Sequence, residues 1–269
     1  MRIISFTNLK GGSAKSTTAF NLAGALVALN YKVLVIDLDP QQTLSRSYLG
    51  LEAGEYALSH VLFEDGLLAR AILPTKYPHL FVIPADHGLK VIKSGQAQIE
   101  GGELRLRSCL KRMAQVEDNG DAYDPFDWVM IDCPPSLDRL TMNALVAADY
   151  VFVPVDPGAG GRTALADTIE YILAAQKWYN PTLKILGLLI NNVNQNTVYD
   201  QTTENAVRVL YGEQVFNTVV PSSVRVREAA EFQIPMAFCK GNEYKRYVKI
   251  YEDLCQEVLT RIGVSGGPA

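Results

Sequence analysis

The chain has 269 residues, 48% of them hydrophobic and 20% charged, with a formal net charge of −4. This balance excludes extended disorder and a uniformly basic nucleic-acid binder, although a local basic patch stays effective because salt screens charges only beyond about 8 Å. The four cysteines, Cys109, Cys133, Cys239 and Cys255, are scattered and form no C-x-x-C pair, so neither a zinc site nor a redox dithiol is expected. No uncharged apolar run approaches the ~18 residues of a membrane span. Glycines and Lys10 interrupt the N-terminus before any secretory apolar region, and the expectation is a cytoplasmic protein.

The first apolar run, Ile3 to Phe6, breaks at Gly11-Gly12 and gives way from Ser16 to the Ala/Leu-rich stretch STTAFNLAGALVALNY. A strand, a glycine loop and a helix are predicted, with loop N–H groups and the helix N-terminus directed at a phosphate. Lys15 supplies a mobile positive charge there, and the Ser16 hydroxyl is placed to ligate Mg²⁺. Ala14 and Leu9 stand where the strict G-x-x-x-x-G-K-[ST] loop has its glycines. The pattern that fits is K-G-G-x-x-K-[ST], from Lys10 to Ser16.

Residues 32–40, KVLVIDLDP, read as a buried strand delivering Asp37 and Asp39 to the edge where doubly wound sheets bind ligands. Short helices are expected over residues 41–75, with Arg46 on the surface, and a third strand over His79 to Ala85. Glu103 to Val116 predicts an amphipathic helix, with Leu104, Leu106, Leu110, Met113 and Val116 near 3.6-residue spacing. Arg105, Arg107, Lys111 and Arg112 fall largely off that stripe and read as a solvated basic face. After an Asp- and Gly-rich loop, Glu117 to Pro125, the run Trp128 to Asp132 has the form of a Walker-B strand, whose carboxylate holds Mg²⁺ directly or through water. Pro134 and Pro135 then pre-shape a loop.

Tyr150 to Val155 reads as a fifth strand, followed by a Gly-rich loop, Asp156 to Arg162, and a helix over Thr163 to Trp178. Lys184 to Asn192 is a sixth strand ending in two amides. Each amide has the donor and acceptor that an adenine edge needs, and either Asn191 or Asn192 is the candidate. A seventh strand is expected over Val215 to Pro221 and a last helix over Asn242 to Arg261, with residues 263–269 as a frayed tail. Along that helix the basic Lys245, Arg246 and Lys249 interleave with Tyr244, Tyr247 and Tyr251. Tyrosines so spaced pack into the core and leave a solvated basic face.

The Lys10–Ser16 loop, the D-x-D-P-Q of Asp37 to Gln41, and DCPPSL from Asp132 followed by Thr141 to Leu145 together resemble the ParA/MinD family of deviant Walker-A ATPases, on its ParA side. The resemblance runs over nearly the whole chain. It implies an α/β three-layer sandwich with a mostly parallel sheet of roughly seven strands, and a single ATPase domain over residues 1–269. It implies ATP held by Lys10, Gly11, Gly12, Ser13, Ala14, Lys15, Ser16 and Thr17, with Asn191, Asn192 and Pro221 near the base. Ser16, Asp37 and Asp132 are then the Mg²⁺ side, and Lys10, Lys15 and Asp39 the catalytic set. Asp39 orients the attacking water, and Lys10 reaches across an ATP-sandwich homodimer. Ala14 departs from the family's usual glycine.

By the same resemblance, Arg225 lies on a surface used for nonspecific double-stranded DNA, with Arg227, Lys245 and Arg246 as further candidates. The implied cycle is an ATP dimer on nucleoid DNA, released when a ParB-like or other adaptor stimulates hydrolysis. Its cargo is a plasmid, a chromosome origin or a protein compartment such as a carboxysome. No operator-reading helix-turn-helix precedes the phosphate loop, so a small form of the family is expected. The rival readings are a MinD-like membrane-cycling regulator, an iron–sulfur reductase and a non-hydrolysing nucleotide-binding scaffold. Against the first, Ile262 and Val264 are the only large apolar residues after Arg261, and no basic residue follows, so no membrane partner is expected. Against the second, Cys133 sits beside Asp132, too close to the nucleotide. The third rests on Ala14.

Overall fold

The computed structural model describes residues 1–63, 68–94, 101–113, 117–118, 121–122, 126–158, 160–193 and 197–264. In chain order the elements are β1 (Arg2–Phe6), α1 (Lys15–Ala28), β2 (Val33–Asp37), a π-helical turn (Thr43–Tyr48), α2 (Leu58–Phe63), β3 (Leu73–Pro74), β4 (Leu80–Ile83) and α3 (Leu89–Lys93). They continue with α4 (Arg105–Met113), β5 (Glu117–Asp118), β6 (Asp121–Ala122), β7 (Trp128–Asp132), α5 (Arg139–Ala147), β8 (Tyr150–Val155) and α6 (Gly161–Trp178). The last are β9 (Lys184–Val193), α7 (Val198–Tyr211), β10 (Val220–Pro221), α8 (Val224–Glu231) and α9 (Lys245–Ile262).

Eight strands form one sheet in the order β10-β9-β8-β1-β7-β2-β4-β3, while β5 and β6 pair separately. Every pairing in the large sheet is parallel except β3 on β4. Parallel strands with helices on both faces are buried on both sides, which is why β2 and β7 read as nearly unbroken apolar runs. Alternate residues of each strand serve opposite layers. Ile3, Leu34, Ile36, Val129, Ile131, Val151 and Val153 face a core that α2 to α7 cover. Ile4, Phe6, Val33, Val35, Trp128, Met130 and Phe152 face a second core under α1, α8 and α9. Gly24 of α1 is needed for that packing, because a Cβ there would lie 2.3 Å from the Pro235 Cβ.

The α/β three-layer class and the mostly parallel sheet are as expected, and the sheet has eight strands where roughly seven were expected. The addition, β3, is a two-residue antiparallel edge strand containing Pro74, whose missing N–H is tolerated only at an edge. The expected strand over Val215 to Pro221 shrinks to β10 and one bridge from Val215 to Leu188. Between them the Asn217 and Thr218 N–H groups donate to the Glu257 carboxylate of α9 rather than to a strand. The amphipathic helix starts at Arg105, after a 3-10 turn over Gly102–Leu104, and Val116 lies outside the described residues. Arg105 is not on the solvated face: it is buried and donates to the Val61 carbonyl. Within the expected loop from Glu117, β5 and β6 pair antiparallel. Leu67, Ala159 and residues 265–269 also lie outside the described residues.

On α9 the periodicity resolves as foreseen. Tyr251 is buried and Tyr244 and Tyr247 are half-buried against the core, while Lys245, Arg246 and Lys249 are exposed. All four cysteines are free thiols.

Candidate nucleotide site

The parallel register brings the C-terminal ends of three strands level: Phe6 pairs with Asp132, and Asp37 with Asp132. Ligands of doubly wound sheets bind at this edge. From β1 the chain enters the loop over residues 9–14, tied down by Asn8, whose amide donates to the Pro154 carbonyl at 2.7 Å and whose Oδ1 accepts the Lys10 N–H at 2.8 Å. The Leu9 N–H donates to the Thr168 hydroxyl of α6 at 3.0 Å. Gly12 has φ +77° and Ala14 φ +63°. At Ala14 this left-handed conformation costs a residue with a Cβ about 1 kcal/mol. Ala14 precedes α1 without a side-chain cap, so the first-turn N–H groups of the helix remain available to an anion.

Lys15 is 6% exposed and curls back onto this loop. Its ammonium donates to the Asn8 carbonyl at 3.1 Å and to the Lys10 carbonyl at 3.5 Å. Burial lowers its pKa, opposed by the nearby Asp132, Cys133 and Asp39. Asp132 is fully buried, and neither carboxylate oxygen has a hydrogen-bond partner. Burial and the adjacent Asp37 push its carboxyl well above the usual range, opposed by the neighbouring Ser16 hydroxyl and Lys15 ammonium. An orphaned buried carboxylate beside a hydroxyl fits a hard cation. Among the described residues no three His, Cys, Asp or Glu side chains gather on one point. A Mg²⁺ here would therefore rely on Ser16, Asp132, water and phosphate oxygens.

Asp37 is arranged differently from Asp132, although both were read as metal-side carboxylates. Both its oxygens are engaged within the protein, one by the Asp39 N–H at 3.0 Å and the other by the N–H and hydroxyl of Ser45 at 2.9 and 2.7 Å. Burial pushes its pKa up to about 6 against those hydrogen bonds. Asp39 lines the cavity with Gly12, Ala14, Lys15, Ser16 and Thr17.

That cavity, about 390 Å³, continues to Asn191, Asn192 and Pro221 and ends at Tyr48, Arg227 and Tyr251. The Asn191 amide donates to Thr18 Oγ1 at 2.9 Å and its oxygen accepts the Asn192 N–H at 2.8 Å. Asn192, at φ +61°, donates to Asp156 Oδ2 at 3.3 Å. These bonds leave each carboxamide a second N–H and acceptor capacity that a base could use. Arg227, a candidate DNA contact by resemblance, is exposed and also lines this cavity. Lys10 does not extend outward: its ammonium pairs with Asp156 Oδ1 of the same chain at 3.1 Å. The same oxygen accepts the Gly158 N–H.

Of the surface basic residues, Arg225 pairs with Glu228 at 2.7 Å, and Lys245 and Arg246 are exposed at the start of α9. Arg46 pairs with Glu52 at the surface. Sequence reasoning missed Asp156, Ser45 and Tyr48. Asp156 carried a signal, since it directly follows a strand, at the edge where Asp37 and Asp132 end theirs. Ser45 and Tyr48 carried none.

A parallel sheet whose edge presents an uncapped helix, a buried lysine and an orphaned carboxylate defines a P-loop nucleotide-binding protein of the deviant Walker-A class. Residues 1–185 match the AAA_31 family, described as an AAA domain. The chromosome partitioning protein ParA of Caulobacter vibrioides is 35% identical, over 97% of this chain and 95% of that protein. Apo McdA of Cyanothece superposes with a TM-score of 0.81 at 26% identity, covering 96% of this chain and 99% of that one. The cobyrinic acid a,c-diamide synthase of Mycobacterium smegmatis, with bound ADP and magnesium, gives 0.72 at 30% identity over 86% and 93%. The chain belongs to the ParA family of partition ATPases.

Proposed function

We propose that this chain hydrolyses ATP with Mg²⁺ as an ATP-sandwich homodimer, and that the ATP form holds nonspecific double-stranded DNA to position a cargo. A ParB-like or other adaptor stimulates hydrolysis and release, so the protein is cytoplasmic and nucleoid-associated when ATP-bound. The observation that carries the reading is the orphaned Asp132 carboxylate beside Lys15 and Ser16 at an uncapped helix N-terminus. Little covalent chemistry is required of the protein in phosphoryl transfer. Loop N–H groups and Lys15 hold the phosphates and stabilise the charge of the transition state, and Asp39 orients the attacking water. Mg²⁺, when bound, would neutralise phosphate charge from the Ser16 and Asp132 side.

Binding to random-sequence duplex DNA, measured without nucleotide, with ADP and with ATP at two salt concentrations, tests the partition reading. ATP alone promotes binding, and about four phosphate contacts give a log–log salt slope of roughly −3.6. An ATP dimer that ignores DNA at low salt sinks the reading. Arg225 is exposed and spends one of its five N–H donors on Glu228. The membrane-cycling alternative has less support, because Ile262 and Val264, the large apolar residues after Arg261, pack against the core. Pelleting with anionic liposomes separates the two.

For Lys10 to act in a partner's site it must leave Asp156. A half-buried pair of this kind contributes up to about 1 kcal/mol, worth several-fold in the dimer equilibrium. Asp156→Ala accordingly dimerises at several-fold lower ATP concentration by light scattering. An unchanged ATP dependence removes the pair from the dimerisation step.

A further inference from the structure

The turn that carries Asp39 is held from behind by a serine that no motif marks. Asp37 closes β2, fully buried and in register with Asp132. Its Oδ1 accepts the Asp39 N–H at 3.0 Å, and its Oδ2 accepts both the N–H and the hydroxyl of Ser45 at 2.9 and 2.7 Å. Ser45 is itself fully buried. The chain between them has little freedom left: Asp39 Oδ1 accepts the Gln41 N–H at 3.0 Å, and Gln42 adopts φ +60°.

Ser45 belongs to the π-helical turn Thr43–Tyr48. Such turns are rare and are frequently found at functional sites. This one is pinned at both ends. Near its start Ser45 grips Asp37, and at its end the Tyr48 and Thr17 hydroxyls share a hydrogen bond at 3.1 Å on α1, with the Tyr48 ring against Phe20. The turn thus connects the helix behind the phosphate loop to the residue that faces the cavity.

We propose that Ser45 is a positioning residue for hydrolysis: by gripping the Asp37 carboxylate it fixes the turn that aims Asp39 into the nucleotide cavity. Of the two buried strand-end carboxylates, Asp132 is left open toward a cation and Asp37 is committed to the turn. The inference rests on the reading of Asp39 as the water-orienting residue. It adds that the orientation depends on a hydroxyl eight residues downstream of β2.

Steady-state ATPase kinetics of the full chain, with fluorescent ATP-analogue binding and thermal melting, compare Ser45→Ala with Asp39→Ala. Removing one of three hydrogen bonds to Asp37 loosens the aim of Asp39 without touching the phosphate loop. A fall in kcat of roughly 10-fold is expected. The KM for ATP and analogue affinity stay within about two-fold, and the ATP dimer still forms. A wild-type kcat overturns the proposal, as does a loss confined to nucleotide affinity. If Asp39→Ala turns over normally, the underlying reading fails. If Asp39→Ala is inactive while Ser45→Ala is fast, the Ser45 inference alone fails.

Discussion

Lys15→Ala loses ATP binding by about 100-fold or more while the protein stays folded. The ammonium has no carboxylate in hydrogen-bond contact; it rests on two backbone carbonyls, those of Asn8 and Lys10. Burial holds its pKa down, so the charged form is kept in the apo state at a cost. Phosphate oxygens arriving at the uncapped end of α1 relieve that cost. Two charge-assisted hydrogen bonds at about 1.5 kcal/mol each correspond to a factor of roughly 100 in affinity. Deleting the side chain also deletes a buried charge, so the melting temperature is expected to hold or rise. Calorimetric titration with ATP, paired with a thermal melt, checks both halves. An unchanged affinity refutes the phosphate-loop assignment, and a collapsed melting transition means the lysine is structural.

The parts of this molecule legible in the sequence are those where one local rule fixes the outcome. Runs ending in a carboxylate, such as Val33–Asp37 and Trp128–Asp132, announced strands of a parallel sheet and the edge at which they end. The glycines before Lys15 announced the turn into α1. Contacts made by residues far apart in the chain left no such trace. Asn217 and Thr218 look like strand residues, but their N–H groups are claimed by Glu257, some 40 residues away on α9. Arg105 sits off an apolar stripe, yet the Val61 carbonyl draws it inside. Lys10 carries the family's distinguishing role by resemblance. Its place in this structure is decided by Asp156, which only the pairing of β8 with β1 brings near. The same holds for Asp37 and Asp39: their spacing was plain, but their division into a turn anchor and a cavity-facing group depends on Ser45.

Asp39→Ala binds ATP with near-normal affinity, accumulates as the dimer and loses turnover by about 100-fold or more, the range set by removing a positioned acid–base group. The two halves separate because Asp39 stands at the cavity wall while the phosphate grip comes from elsewhere. Its backbone N–H donates to Asp37 and its carbonyl accepts the Gln42 N–H, both retained in the substitution, so the turn keeps its shape largely without the carboxylate. The lost carboxylate is 8% exposed and contributes one hydrogen bond to the fold, so the stability change is at most about 1 kcal/mol. On the role proposed for Asp39, what vanishes is the acceptor that would orient water toward the γ-phosphate. Removing a negative charge from the neighbourhood of Lys15 also removes a repulsion against the triphosphate, which favours the ATP-bound form further. Light scattering with ATP and a phosphate-release assay on the same sample read the two effects together. Normal phosphate release in this variant excludes Asp39 from the reaction, and a monomer that neither binds nor hydrolyses ATP shows that the carboxylate holds the site together rather than working in it.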